Sequence, residues 1–395
     1  MRLSAEADFW RLWYVGLAVF IVRWLETVAV GVFAYQQTRS AFVVAMLTML
    51  RLLPMGLFGA VLGAVAEQME RRTALLLVIA MMLATSVALT LLAWSGALAV
   101  WHLAVASFLN GVGWATDNPV RRVMLGEVVG AQRMGTAMSL DVGANNASRM
   151  VGPTIGGLIY AGAGVPSVFA LSVLLYATAL VAAMFLRYRN GIPPTGGRSV
   201  LERIRESIRL ARRDRRLVGT MVVTIVYNVF GWPFTSMVPV IGKDRLHLGP
   251  EGVGILASMD GVGAFAGALL VAMFIRQRHY KALYVGSVAV YCSLLSLFAV
   301  APAPVVAGAA LLATGLGGAG FSIMQATLVY LAAPADMRSR VLGLLSMCIG
   351  VGPLGFLMLG LLADRIGADH ATAATGIAGL IALALTRRWW RWIGT

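Results

Sequence analysis

The sequence predicts an all-α polytopic membrane protein, with twelve transmembrane helices forming two six-helix bundles related by pseudo-two-fold symmetry. Three observations carry this prediction. Of 395 residues, 59% are hydrophobic and 12% charged, which leaves too little polar surface to solvate a globule of this size. Twelve apolar stretches approach the roughly 20 residues that a helix needs to cross a hydrocarbon layer. The 32 basic residues are also sorted by side: 25 fall in the termini and alternate loops, whereas the opposite loops hold four, Arg39, Lys243, Arg245 and Arg365. Arg23, Arg51 and Arg149 lie inside apolar stretches. This asymmetry puts both termini in the cytoplasm.

The spans are read at 13–35, 41–66, 73–95, 98–119, 134–160, 164–186, 217–242, 251–275, 282–301, 303–333, 341–363 and 370–388. The first begins after charged Glu6, Asp8 and Arg11 and lacks a small-residue cleavage site, so it reads as a retained helix and not as a signal peptide. The last is short and Ala-rich, and Trp389, Trp390 and Trp392 beside Arg387, Arg388 and Arg391 would anchor its end at the cytoplasmic interface. Between the sixth and seventh spans lies a segment with ten basic residues. Within it Val200, Leu201, Ile204 and Ile208 repeat at helical spacing among arginines, which predicts a helix on the inner membrane surface. The chain thus divides into an N-terminal bundle at 1–186, a basic linker at 187–216 and a C-terminal bundle at 217–395. Val151-Gly152-Pro153 recurs as Val351-Gly352-Pro353, and Asn110-Gly111-Val112-Gly113 is echoed by Thr314-Gly315-Leu316-Gly317, at similar offsets, as a duplicated bundle would give.

A net charge of +15 would suggest nucleic acid in a soluble chain; here the basic linker makes anionic lipid head groups the expected partner. Cys292 and Cys348 both fall in apolar stretches, and His102, His247, His279 and His370 are scattered, so no disulfide framework and no metal site is expected. Gly315, Gly317 and Gly320 fit the letter of a dinucleotide fingerprint but follow no strand, and Gly261, Gly263 and Gly267 read the same way, as close helix packing. With no phosphate loop and no nucleophile and base arrangement, neither a cofactor nor enzymatic activity is expected.

The strings YQQTRSA after the first span, GAVAEQMERR after the second, NPVRR after the fourth, SRMVGPTIGG in the fifth and GLLADRIG after the eleventh, with the six-plus-six count, resemble the major facilitator superfamily. Within it they are similar to exporters of the macrolide-efflux and enterobactin-exporter type. The superfamily's best known signature, Gly-x-x-x-Asp-basic-x-Gly-basic-basic, is matched in kind by Gly63, Glu67, Arg71 and Arg72. Gln68 and Glu70 depart from it and weaken the cytoplasmic latch that the resemblance implies.

Ionisable groups near mid-membrane cost several kcal/mol unless paired or hydrated, which makes each a functional candidate. Arg23 and Glu26 lie one turn apart in the first span, and Arg51 in the second is about as deep. Two readings are open: a structural ion pair, or a proton-exchanging Glu26 beside an Arg23 that tunes it or grips substrate. Asp141, Asn145 and Arg149 make a polar stripe at four-residue spacing. The resemblance implies that the fifth span abuts the eighth, so Arg149 and Asp260 are an expected ion pair, either permanent or broken during transport; Asp260 is the second candidate proton carrier. Asp117, with Arg121 and Arg122, reads as an interfacial cluster. The resemblance further implies a central cavity lined by Asn110 and Trp114, by Tyr227, Asn228 and Trp232, and by Thr314, Ser322 and Gln325. Such a wall suits a small amphiphilic molecule.

These readings together predict an inner-membrane transporter, monomeric, that exports a small amphiphilic compound by alternating access with proton entry. The alternatives are transport of an organic anion or siderophore-like metabolite in either direction, a lipid flippase, or a non-transporting membrane partner.

Overall fold

The computed structural model describes residues 7–130, 133–187, 214–333 and 338–393, and only the backbone at 58–68, 135, 338–340 and 342–343. The predicted amphipathic linker helix and the Glu67 side chain lie outside the described residues. All regular structure in the described residues is helical. Helix α1 spans Ala7–Thr38, α2 Ala41–Gln68, α3 Arg71–Trp94, α4 Val100–Val129 and α5 Met134–Met184. Helix α6, Arg215–Val226, starts at Asp214, whose carboxylate accepts the Arg216 amide at 2.8 Å as an N-cap. It runs into a π-helical turn at Tyr227–Gly231 and a 3-10 turn at Trp232–Ser236, where Pro233 cannot supply the N–H that a continuing α-helix needs. Then come α7 (Val238–Asp244), α8 (Pro250–Phe274), α9 (Tyr280–Ala299), α10 (Pro304–Ala332), α11 (Arg338–Ile349), α12 (Gly352–Ile366), α13 (Ala368–Leu385) and the short α14 (Arg387–Trp390).

Nine described segments are long and apolar enough to cross a membrane. The predicted fifth and sixth spans fall in one of them: α5 continues through both, broken only at Gly164, whose φ of 76° interrupts the helix just before Pro166. Helix α2 contributes a shorter apolar run, Ala41–Leu57, and α4 is not among the nine because Asn110, Asp117, Arg121 and Arg122 interrupt its apolar surface.

Packing divides the chain into two compact units. The first comprises Met1–Gln37, Leu50–Gly196 and Pro250–Gly254. Its centre is α1, which is buried along most of its length: Phe9, Leu12 and Val15 pack with Leu75 and Ile79 of α3, Val120 and Met124 of α4, and Ala179 and Ala183 of α5. The second unit comprises Thr38–Met49, Gly197–Gly249 and Ile255–Thr395. There Leu217 and Met221 of α6 pack with Val329 of α10 and Val341 and Leu345 of α11. Helices α8 and α10 meet at the predicted glycines, with the Gly263 and Gly315 positions lying directly against the partner backbone at Leu312 and Asp260. Large apolar side chains face outward in both units, among them Trp94 (66% exposed) and Phe274 (69% exposed), which is the surface a protein presents to lipid. At the end of the chain Arg388 lies 3.8 Å over the Trp389 ring, and Trp390 donates its indole N–H to the Leu383 carbonyl at 2.8 Å, an aromatic and basic terminus of the predicted kind.

Candidate functional site

Charges buried in the first unit are sorted into two clusters along α1. The one further along α1 is built on Arg23, Glu26, Asn110 and Trp114. Asn110 and Trp114 are one turn apart on α4, so both reach the same stretch of α1. The Arg23 guanidinium lies 3.7 Å from the centroid of the Trp114 ring, an arrangement worth about 2 kcal/mol when shielded from solvent. Glu26 is 1% exposed and accepts a hydrogen bond from Asn110 Nδ2 at 3.3 Å. Among the described residues no ion pair joins Arg23 to Glu26, so of the two readings the structural ion pair is corrected: each group meets an α4 side chain instead. Arg51 donates to Thr27 Oγ1 at 3.3 Å, which holds its charge within electrostatic reach of both Arg23 and Glu26. Arg23 Nη1 and Asn110 Oδ1 are buried without a hydrogen-bond partner among the described residues, and Glu26 faces the hydroxyls of Ser86 and Ser172 as well as Asn110. Buried polar atoms with unused hydrogen-bonding capacity can receive a polar ligand group.

The cluster nearer the start of α1 is a buried network. Arg121, fully shielded, pairs with Asp117 one turn earlier at 3.2 Å and with Asp141 of α5; Arg122 reaches the other Asp141 oxygen at 3.0 Å. The Arg121 guanidinium crosses directly over Gly16 of α1, where any Cβ would fall 2.2 Å from its nitrogen, and faces the Phe20 ring at 5.0 Å. The expected cluster of Asp117, Arg121 and Arg122 is joined by Asp141 and is buried within the protein, with two carboxylates for two guanidiniums, and Arg121 is its hub. Asp141 belongs to this network, whereas Asn145 accepts the Trp24 indole N–H at 3.3 Å and Arg149 lies 5.5 Å from the Trp24 ring. The stripe on α5 is one face, as its spacing predicts, but Asp141 meets Arg121 and Arg122 whereas Asn145 and Arg149 meet Trp24. At the loop after α2, Arg71 pairs with Glu127 of α4 and Arg72 donates to the Met184 carbonyl at 2.7 Å.

In the second unit, the residues expected to line a cavity form an aromatic and hydrogen-bonded core. Tyr227 stacks on Phe321 at 3.8 Å and meets Tyr291 at 4.8 Å. Asn228 donates to the Thr224 carbonyl at 2.9 Å, Gln325 donates to Thr224 Oγ1 at 3.1 Å, and Tyr284 shares the same hydroxyl at 2.8 Å. Thr224, Tyr284, Tyr291 and Phe321 were not singled out from the sequence; Thr224, one turn before Asn228 on α6, carried the only local signal. Thr314 and Ser322 bond back to carbonyls of their own helix, and Trp232 packs edge-on against Phe356 at 5.9 Å. Asp260 is 6% exposed in α8.

The chain matches the family model described as transmembrane secretion effector over residues 4–390. It is 22% identical over 377 residues to macrolide efflux protein A of Streptococcus pyogenes, covering 92% of this chain and 91% of that one. It is also 22% identical over 369 residues to the staphyloferrin A transporter of Staphylococcus aureus, covering 91% and 90%, and 25% identical over 356 residues to the multidrug efflux pump Tap of Mycolicibacterium fortuitum, covering 85% and 84%. Among solved structures it is similar to a POT family transporter in complex with 5-aminolevulinic acid, with TM-score 0.79 at 12% identity over 98% of this chain and 96% of that one. A bacterial homolog of the human lysosomal transporter Spinster gives TM-score 0.72 at 15% identity over 100% and 98%. A multi-pass helical chain with buried polar clusters, matched almost end to end by efflux transporters, belongs to the transmembrane secretion effector family of major facilitator transporters.

Proposed function

We propose that the protein exports a small amphiphilic organic compound across the inner membrane by alternating access, driven by proton entry. Twelve spans in two bundles, 1–186 and 217–395 joined by the linker at 187–216, would rock about a mid-membrane site, with both termini in the cytoplasm and a single chain as the working unit. The observation that carries this reading is Glu26, a shielded carboxyl tied to Asn110 beside the Arg23 and Trp114 stack. A carboxyl held this way can exchange one proton per cycle, and the Trp114 face with the Arg23 guanidinium offers an apolar and a polar contact to the same ligand. Asp260 is the alternative proton carrier, and its proposed pairing with Arg149 would bias the rocking equilibrium. Relatives that are a macrolide efflux protein and a multidrug efflux pump support the direction, and these with the staphyloferrin A transporter support a small organic substrate.

A second reading, transport of an organic anion, is favoured by one observation: Arg23 has an aromatic neighbour and no carboxylate partner among the described residues. The two readings differ in the sign of proton linkage. Antiport requires that substrate binding expel a proton, whereas an anion bound beside Glu26 would draw one in. Titrating purified protein with candidate compounds in weakly buffered detergent and following a pH dye separates them: acidification supports antiport, alkalinisation supports the anion, and binding without either removes proton coupling from the site.

A further inference from the structure

The first eight positions of the signature that is degraded after α2 are met by a second stretch. Gly360, Asp364, Arg365 and Gly367, at the end of α12, satisfy Gly-x-x-x-Asp-basic-x-Gly, where the copy at Gly63 to Glu70 departs at Gln68 and Glu70; the closing basic pair, Arg71 and Arg72 in the first copy, is Ala368 and Asp369 in the second. By the sorting of basic loops this second copy lies on the outer side. Within the second unit it meets the first turn of α2. Helix α2 begins at Ala41, and its leading N–H groups have no intrahelical acceptor. Asp364 supplies one: its Oδ1 accepts the Phe42 amide at 2.9 Å, while its Oδ2 accepts the Ser40 hydroxyl at 2.7 Å. Ser40 Oγ in turn accepts the Val43 amide at 3.2 Å, so the carboxylate and the hydroxyl cap the helix together. One turn earlier on α12, Gly360 admits α2 so closely that a Cβ there would stand 2.8 Å from Ala45 Cβ. The remainder of α2, from Leu50 on, belongs to the first unit. A single helix is thus anchored in one unit along its body and in the other at its tip, and the tip is fastened by an exposed carboxylate.

We propose that Asp364 is a gate-positioning residue: its carboxylate fastens the tip of α2 to α12 in one state of the transport cycle, and the two part in the state that opens the outer mouth. The contact has the strength such a catch needs. An exposed carboxylate at a helix N-terminus shifts an equilibrium by about two- to fivefold, enough to bias a conformation and too little to lock it. This inference rests on the alternating-access reading, so its test includes a measurement that needs no substrate. In a background with Cys292→Ser and Cys348→Ser, Ala45→Cys carries a thiol that is shielded under Gly360. Its labelling by a membrane-impermeant maleimide is followed in oriented vesicles. Adding Asp364→Asn is expected to raise the labelling rate about two- to fivefold, and Asp364→Glu to leave it near the parent rate. Equal rates in all three would overturn the proposal, whether or not any compound is transported. Where a transported compound is in hand, Ser40→Cys with Asp364→Cys, joined by a short bifunctional thiol reagent, is expected to stop turnover until the link is cleaved. Undiminished transport by the linked protein would mean that the contact is permanent and would equally overturn the proposal.

Discussion

Arg121 shows how much a single buried charge can organise. It draws one carboxylate from its own helix and one from α5, passes over the bare backbone at Gly16, and in doing so ties α1, α4 and α5 together. Removing the one fully buried guanidinium that both carboxylates share costs about 3–5 kcal/mol. Arg121→Met is therefore expected to lower the thermal unfolding midpoint in detergent sharply, and Arg122→Gln, at a side chain 38% exposed, to cost less than about 1 kcal/mol. Equal losses from the two substitutions would contradict the hub assignment. Glu26 is expected to behave differently, because its role is proposed to be chemical. Glu26→Gln keeps the size of the side chain and its bond from Asn110, so unfolding should move little, uphill accumulation should be lost and downhill exchange should persist. Uphill transport at the parent rate by the Gln variant would take Glu26 out of the mechanism.

At the scale of elements, the lesson lies in which interactions a helical repeat can and cannot specify. Spacing places Asn110 and Trp114 on one face of α4, and Asp141, Asn145 and Arg149 on one face of α5, and the structure keeps both faces. Spacing says nothing about the neighbour that a face will meet. That is why Arg23 and Glu26, one turn apart, were legible as a pair yet reach separately to Trp114 and Asn110, and why Asp141 was legible as polar but not as the partner of Arg121. The Thr224, Tyr284 and Gln325 core was illegible for the same reason, since it joins three helices through one hydroxyl. The break in α6 is a local effect and carried a local sign, Trp232-Pro233. The α4 face offers its own test: Trp114→Ala removes the surface on which Arg23 lies and should weaken substrate binding about tenfold or more, whereas Trp114→Phe should recover most of it. Equal affinities for the parent and Trp114→Ala in a detergent binding assay would show that substrate does not use that face.

For the molecule as a whole, the composition and the sorting of arginines gave the membrane class, and the outward-facing Trp94 and Phe274 agree with it. The proposed coupling of the two bundles through Arg149 and Asp260 belongs at this scale. Arg149→Gln and Asp260→Asn should each slow transport, and the double variant should be impaired less than the sum of the two, as for groups that act on each other; strict additivity in initial rates would refute the pair. Proton-driven uphill efflux is measured in sealed proteoliposomes carrying the purified protein, an internal pH dye and an imposed pH gradient, challenged in turn with macrolides, dyes, siderophores and organic acids. Substrate-dependent proton movement opposite to the substrate is expected, and none in Glu26→Gln vesicles. Substrate flux with no proton movement, or proton movement in the same direction as the substrate, would contradict proton-driven efflux.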